Sequence, residues 1–362
     1  MIPLVKSYLP PKEILIPQLE KVLYSGYIAQ GDAVNKFEKK FSEFIKNPFS
    51  VSVNSGSSAL HIALILAGVK QGDEVISTPM TAEPTNTVIK QIGAKIVWAD
   101  IDPNTGNMCP DDAIKKITSK TKAIMMVDYA GMPVNINRFI KIEKEYKIPI
   151  IEDAAHALGA SYNKKLLGNH FQYTIFSFQA IKHLTTIDGG MLCLKHKEAY
   201  DQAKLIRWFG IDKKKTRFDN DINIQGYKYH MNNINATIGI LQLKYFPKIL
   251  KSYIDNGKYF DKTLVNIDGL SLMKYYDSSE PSYWLYTIKV SNRIDFIKMM
   301  TKNGIMASPL HKRNDLHSIF FESKVKLKHL DKFEKEWVHI PCGWWVSKKD
   351  RTYIVDCIKK GW

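Results

Sequence analysis

Two residues of the chain are well placed to do chemistry together, and each follows a short apolar run. Asp153 comes just after the apolar run at 148–151, and Lys182 follows a second apolar run at 173–178. A carboxylate at the end of one buried strand can bind a protonated ring nitrogen, while a lysine amine after another can form a Schiff base with an aldehyde. Pyridoxal phosphate (PLP) needs both groups, so this pair of residues predicts a PLP site.

The elements that must bring these residues together alternate along the chain. Strands are predicted at 50–53, 73–77, 95–100, 123–128 and 148–151, with helices at 59–67, 81–91, 111–117 and 138–146 between them. Alternation of this kind is typical of a mostly parallel sheet with helices on both sides. Such sheets bind ligands at the carboxyl ends of their strands, where Asp128, Asp153 and the loop at Ser55 are expected to meet in one pocket.

The loop at 54–58 reads Asn-Ser-Gly-Ser-Ser and joins a predicted strand to a predicted helix. The free N–H groups and the positive dipole end of a helix start form an anion site. On the residues alone, Ser57 could equally be a plain N-cap of the helix. The loop therefore predicts either a phosphate-binding site or an ordinary helix start.

Five segments of the chain carry a family resemblance. They are residues 54–64, 71–77, 152–160, 176–190 and 226–243, in that order. They resemble the DegT/DnrJ/EryC1/StrS sugar aminotransferases, which are PLP enzymes. The resemblance implies an α/β protein of the PLP-dependent transferase fold type I, with a large, mostly parallel sheet domain and helices on both faces. This PLP-binding domain is expected at 1–245, with an N-terminal arm at 1–30, and a small C-terminal α/β domain at 246–362.

The resemblance also assigns roles to single residues. Lys182 is expected to bind the cofactor covalently and, once freed, to move protons between the substrate carbon and the cofactor. The residues expected to bind the cofactor are Gly56, Ser57, Asp153, His156, Ser177 and Lys228. Backbone groups at 56–57 would hold the phosphate, the acid would bond the pyridine nitrogen, and the histidine would lie beside the phenolic oxygen. Lys228 is expected to reach the partner's phosphate in a homodimer with shared active sites.

The substrate side of the site departs from the family in one place. Many members have an aromatic residue that stacks on the cofactor ring, but this chain has Ala82 there, followed by Glu83. Glu83 is expected to face solvent, with contact to the substrate or a neighbouring group as the alternative. Residues 305–320 resemble the substrate loop of the family. The residues expected to bind substrate are His183, which could instead only pack, and His311 and His317.

The activity that the resemblance implies is amino transfer from L-glutamate to a keto-deoxy sugar, with pyridoxamine phosphate as the intermediate cofactor form. The expected substrate is a nucleotide-linked 4-keto-6-deoxyhexose, used in cell-surface polysaccharide or glycan biosynthesis. A pyridoxamine phosphate-dependent sugar dehydratase and an aminotransferase for a non-nucleotide keto sugar are alternatives. A few relatives that dehydrate carry histidine at the position of Lys182, so the lysine here favours amino transfer.

The composition adds bounds on the whole protein. The formal net charge is +16, and a basic surface can indicate nucleic-acid binding. The lysines are mostly dispersed over predicted helix faces, so a non-catalytic nucleic-acid-binding or regulatory protein is only the second alternative. The four cysteines are scattered without a C-x-x-C motif, which favours a reducing cytosol over disulfides or zinc. We expect a cytoplasmic enzyme with no metal, no nucleic-acid partner and no membrane span.

Overall fold

The chain folds around one seven-stranded sheet. A computed structural model describes residues 1–362. The strands are β1 (Ser50–Val53), β2 (Glu74–Ser77), β3 (Lys95–Trp98), β4 (Thr121–Val127), β5 (Ile150–Asp153), β6 (Ser161–Tyr162), β7 (Lys165–Leu166), β8 (Tyr173–Ser177), β9 (Gly190–Leu194), β10 (Leu270–Leu272), β11 (Ser279–Glu280), β12 (Tyr286–Val290) and β13 (Trp337–Ile340). The large sheet has the order β1-β9-β8-β5-β4-β2-β3, and only β9 runs antiparallel to its neighbours. The predicted mostly parallel sheet is confirmed.

Helices cover both faces of this sheet. They are α1 (Lys12–Leu23), α2 (Asp32–Ile45), α3 (Gly56–Leu66), α4 (Glu83–Gln91), α5 (Pro110–Lys115), α6 (Ile136–Tyr146), α7 (Lys197–Ile206), α8 (Asn233–Thr263), α9 (Arg293–Lys302), α10 (Lys328–Glu336) and α11 (Lys348–Lys359). Successive strand residues point to opposite faces. Val75 and Met125 accordingly pack in one hydrophobic cluster, while Ile76 and Ile124 pack in another. Because both faces are buried, these strands are continuous apolar runs.

The C-terminal part of the chain builds a smaller unit around the sheet β10-β12-β13, with its own hydrophobic cluster. The helix α8 leads into it and is continuous for 31 residues, although it contains Pro247. The sequence predicts two helices here, at 232–243 and 249–264, because its pattern changes after about residue 246. That prediction is wrong, because α8 continues through Pro247, next to which the buried Phe246 packs against Phe44 of α2. The domain boundary at 245/246 falls inside α8 and stays a prediction.

None of the helices combines the length and the apolar character that crossing a bilayer requires.

A buried ion pair fixes β1, the strand that leads into the loop at 54–58. Arg207 donates to a carboxylate oxygen of Glu38 at 2.5 Å and to the carbonyl oxygen of Ser52 at 2.8 Å. The hydroxyl and backbone N–H of Ser52 donate to the same carboxylate oxygen at 2.7 and 2.9 Å. The Arg207 side chain is 4% exposed and that of Glu38 is 14% exposed, so water screens this pair little.

We expect Glu38→Ala to lower the free energy of unfolding by about 3 kcal/mol, because it leaves the Arg207 charge buried without its partner. Urea unfolding followed by circular dichroism measures this change. The matched control is Glu43→Ala, which removes an exposed carboxylate from the same helix. Equal unfolding midpoints for the two variants would contradict the assigned importance of the pair.

Candidate active site

A cavity of about 400 Å³ lies at the carboxyl ends of the central strands. Seven of the ten residues predicted for the site line it: Gly56, Ser57, Asp153, His156, Ser177, Lys182 and His311. They come from the start of α3, from the ends of β5 and β8, and from loops that follow. The parallel order of β5 and β8 is what brings the acid and the lysine together.

The other three predicted residues lie outside this cavity. His183 is 2% exposed, its Nε2 is 3.0 Å from the carbonyl oxygen of Ser282, and its ring packs edge-on against Tyr253. These contacts are those of a packing residue. Lys228 is exposed and does not line the cavity of its own chain, so its predicted approach to the partner's phosphate stays a prediction. His317 does not line the cavity, and its Nε2 lies 3.7 Å from a carboxylate oxygen of Glu83.

Asp128 does not line the cavity, contrary to the expectation of one shared pocket. Its side chain is fully buried and accepts a hydrogen bond from the backbone N–H of Val134 at 2.9 Å. Burial, with the nearby carboxyl of Glu152, raises the pKa of Asp128 well above its usual value. The side chain therefore stabilises the turn after β4 and is not available to a ligand.

The start of α3 forms an anion-binding cradle. Ser55 is the N-cap, and its hydroxyl oxygen accepts from the backbone N–H of Ser58 at 3.1 Å, so the cap is not Ser57. The N–H groups of Gly56 and Ser57 are the first two of the helix and have no intrahelical acceptor. A Cβ at Gly56 would lie 3.1 Å from the Cβ of Ser177, so glycine allows the helix start to approach β8 this closely. The cradle suits a phosphate group.

The carboxylate of Asp153 is buried at the bottom of the site and lacks a full counter-charge. Its two oxygens accept from the hydroxyl of Thr85 at 2.8 Å and from the backbone N–H of Ala155 at 3.1 Å. Burial raises the pKa of Asp153, and these hydrogen bonds and Lys182 offset only part of that rise. A protonated ring nitrogen would supply the missing positive charge. Sequence reasoning missed Thr85, because nothing in α4 distinguishes it from other helical residues.

Lys182 presents its amine to the same space. The Nζ atom lies 3.8 Å from the centroid of the Trp284 ring and forms no salt bridge. Burial lowers the pKa of Lys182 to about 7, and the nearby Asp153 opposes that shift. An amine with such a pKa is partly neutral at physiological pH, so it can attack an aldehyde and exchange protons.

The lining of the cavity includes Ala82 and two imidazoles. Ala82 lines the cavity, and the only aromatic rings that line it belong to His156 and His311. His156 is 2% exposed and lies 4.1 Å from the ring of Trp284. Its Nδ1 accepts from the backbone N–H of Ala130 at 3.3 Å. Burial lowers the pKa of His156 well below its usual value, so the ring is neutral.

Glu83 also lines the cavity while its side chain stays 45% exposed, so it faces both the solvent and a neighbouring group. Its carboxylate lies 3.7 Å from Nε2 of His317. His311 has a buried Nε2 with no hydrogen-bond partner, which leaves a polar atom available to a ligand. Asn314 holds this loop in place, since its amide donates to the carbonyl oxygen of Thr81 at 2.9 Å.

These observations fit PLP. One cavity combines an anion cradle at a helix start, a lysine with a lowered pKa and a buried carboxylate in need of a positive partner. No group of three or more His, Cys, Asp or Glu side chains is placed to hold a metal ion. The seven-stranded sheet and this site together define the class: a PLP-dependent transferase of fold type I.

The chain belongs to the DegT/DnrJ/EryC1/StrS aminotransferase family, whose family model matches residues 12–359. The sugar aminotransferase CalS13 from Micromonospora echinospora superposes with a TM-score of 0.96 at 37% identity, over 100% of each chain. The UDP-4-amino-4,6-dideoxy-N-acetyl-beta-L-altrosamine transaminase of Campylobacter jejuni is 30% identical over 353 residues, with 95% of this chain and 93% of that protein covered. Spr1654 from Streptococcus pneumoniae, solved in a PLP form, has a TM-score of 0.89 at 27% identity over 98% of this chain and 97% of that chain.

Proposed function

We propose that this protein is a PLP-dependent sugar aminotransferase that moves an amino group from L-glutamate to a nucleotide-linked 4-keto-6-deoxyhexose. The observation that carries the proposal is the meeting of the Lys182 amine and the Asp153 carboxylate in one cavity beside the start of α3. CalS13, described as a sugar aminotransferase, and the Campylobacter jejuni transaminase, named for a UDP-linked 4-amino sugar, support the substrate class.

Each residue of the site then has a task. When bound, PLP supplies an electron-withdrawing ring that stabilises negative charge on the carbon that loses a proton. Asp153 would hold the ring nitrogen protonated, and the N–H groups of Gly56 and Ser57 would bind the phosphate. Lys182 would hold the aldehyde carbon and afterwards carry the proton between the substrate carbon and the cofactor. The neutral His156 would keep the phenolic side of the ring in place without adding charge.

A homodimer with shared active sites is part of the proposal. Tyr24 is 86% exposed, Tyr27 is 79% exposed and the ring of Phe218 is fully exposed. Aromatic residues are enriched at protein–protein interfaces. Lys228 lies outside its own cavity, which supports the idea that it serves the cavity of a second copy. Sedimentation of the purified protein tests this arrangement, and a monomer would contradict it.

The experiment for the activity is absorption spectroscopy of the purified protein with one equivalent of PLP. We expect a visible absorption band that L-glutamate bleaches, followed by its return when the correct keto sugar is added. GDP-, dTDP- and UDP-linked 4-keto-6-deoxy sugars would be tested in parallel, with the matching nucleotide diphosphates alone as controls. No band with PLP would contradict the cofactor, and a band that no keto sugar restores after glutamate would contradict the substrate class.

A further inference from the structure

Trp284 places its indole ring against the Lys182 amine, and no sequence motif points to it. The ring lies 3.8 Å from Nζ and is only 1% exposed. Its indole N–H donates to the carbonyl oxygen of Ile181 at 2.9 Å, so the indole also binds the backbone next to the lysine. The indole also packs against the ring of His156, with 4.1 Å between the two ring centroids. One side chain therefore touches two residues of the cofactor site.

The turn that carries Trp284 is held in an unusual backbone conformation. Tyr283 has φ +51°, in the left-handed region that a tyrosine adopts only when its surroundings force it. The sequence predicts a strand from 283 to 290, but β12 begins only at residue 286 because of this turn. The hydroxyl of Tyr283 donates to Asp261 of α8 at 2.7 Å. A carboxylate on the long helix thus fixes the residue that precedes Trp284.

A second contact fixes the turn from the side of the large sheet. The backbone N–H of Ser282 donates to the carbonyl oxygen of Gly131 at 2.9 Å. A Cβ at Gly131 would lie 2.8 Å from the backbone nitrogen of Trp284, so the two backbones meet where no other residue fits. The indole is therefore held from both sides, and its position next to the amine is built into the fold.

We propose that Trp284 is a positioning residue that holds the Lys182 amine against its ring face, beside Asp153 and His156, whenever the amine is not bound to the cofactor. The inference deepens the proposed aminotransfer, since the amine must wait near the substrate carbon between its two tasks. The ring also has two opposing effects on the protonation of the amine. It excludes water, which disfavours the charged amine, and its π face attracts the ammonium, which favours the charged amine.

The other groups around the amine are few. Asp153, on β5, is the only acid that shifts the pKa of Lys182. Burial lowers the pKa values of His156, His183 and His311, and the lysine charge lowers each of them further, so all three rings are neutral near pH 7. The protonation of Lys182 therefore depends on burial, on Asp153 and on Trp284.

The test measures the pKa of Lys182 in the cofactor-free, full-length protein by trace acetylation from pH 5 to 10. Peptide mass spectrometry compares labelling of Lys182 with that of the exposed Lys332. The variants are Trp284→Phe, Trp284→Met and Trp284→Ala. Phe and Met both remove the indole N–H, and only Phe keeps a π face. They are therefore a matched pair.

We expect half-labelling of Lys182 near pH 7 in the wild-type protein. Trp284→Phe should leave the pH of half-labelling unchanged. Trp284→Met should lower this pH by about one unit, because the amine stays buried while the cation–π attraction is lost. Trp284→Ala should raise it by about two pH units, because water reaches the amine. If alanine prevents folding, the Phe and Met pair decides alone.

Equal shifts in Trp284→Phe and Trp284→Met, or no shift in either, would overturn the proposal, since a packing role does not distinguish the two side chains. The labelling needs neither glutamate nor a sugar. A failure of the sugar aminotransferase proposal would appear in the absorption experiment and would leave this titration unchanged, so the two results are separable.

Discussion

Lys182→Ala should slow the glutamate-dependent loss of the cofactor absorption by about 10⁴-fold, the upper end of what a positioned acid–base group contributes. The alanine cannot hold the aldehyde, and it cannot move the proton from the substrate carbon. Loss of the lysine should affect the rate far more than the binding of the phosphate, because the cradle at Gly56 and Ser57 is unchanged. Single-turnover absorbance with saturating PLP and L-glutamate measures the effect.

Two control variants sharpen this prediction. Lys332→Ala removes an exposed lysine of α10 and should leave the rate unchanged. Lys182→Arg keeps the positive charge but offers no neutral amine near pH 7, so it should be as slow as alanine. A Lys182→Ala protein that still bleaches within tenfold of the wild-type rate would show that another group moves the proton.

The strand pattern in the sequence predicts the position of the candidate active site, because the two main residues each follow a short apolar run. Apolar runs that end in Asp153 and precede Lys182 identify two neighbouring parallel strands, and parallel strands bring their carboxyl ends together. The same reasoning fails for Asp128, although it also ends a strand. Its side chain turns back to the N–H of Val134, and the direction of a side chain after a strand is not encoded in the strand pattern.

The residues that sequence reasoning misses contact site residues that are far from them in the sequence. Thr85 reaches Asp153 across 68 positions, and the indole N–H of Trp284 reaches the carbonyl oxygen of Ile181 across 103. Neither stands in a motif, and the segment around Trp284 resembles an ordinary buried strand. Glu83 lines the cavity, and Asn314 joins the segment before it to the loop at 311–317 through the carbonyl oxygen of Thr81. Contacts of this kind depend on tertiary packing, which the local hydrophobic periodicity of a sequence does not predict.

Asp153→Asn should raise the stability of the cofactor-free protein and lower its affinity for PLP. Burial raises the pKa of Asp153 in the folded chain, so the folded state binds its proton more tightly than the unfolded state. The stability contributed by this group is fully present below the unfolded pKa of about 3.9 and is lost as the pH rises through the folded value. At neutral pH the ionised carboxylate therefore destabilises the empty protein, and asparagine removes that penalty. Lys182 loses its acidic neighbour, but with a pKa near 7 it can give up its proton.

We expect the cofactor-free Asp153→Asn protein to melt about 2 °C higher than the wild type at pH 7, with the difference vanishing towards pH 4. Its affinity for PLP should fall by about 10²- to 10³-fold, because the ring nitrogen loses the partner that balances its charge. Calorimetry of the empty protein and titration with PLP measure the two effects, with the exposed Asp356→Asn as control. A variant that is less stable when empty and binds PLP as well as the wild type would contradict both. The carboxylate would then stabilise the fold and would not serve the ring nitrogen.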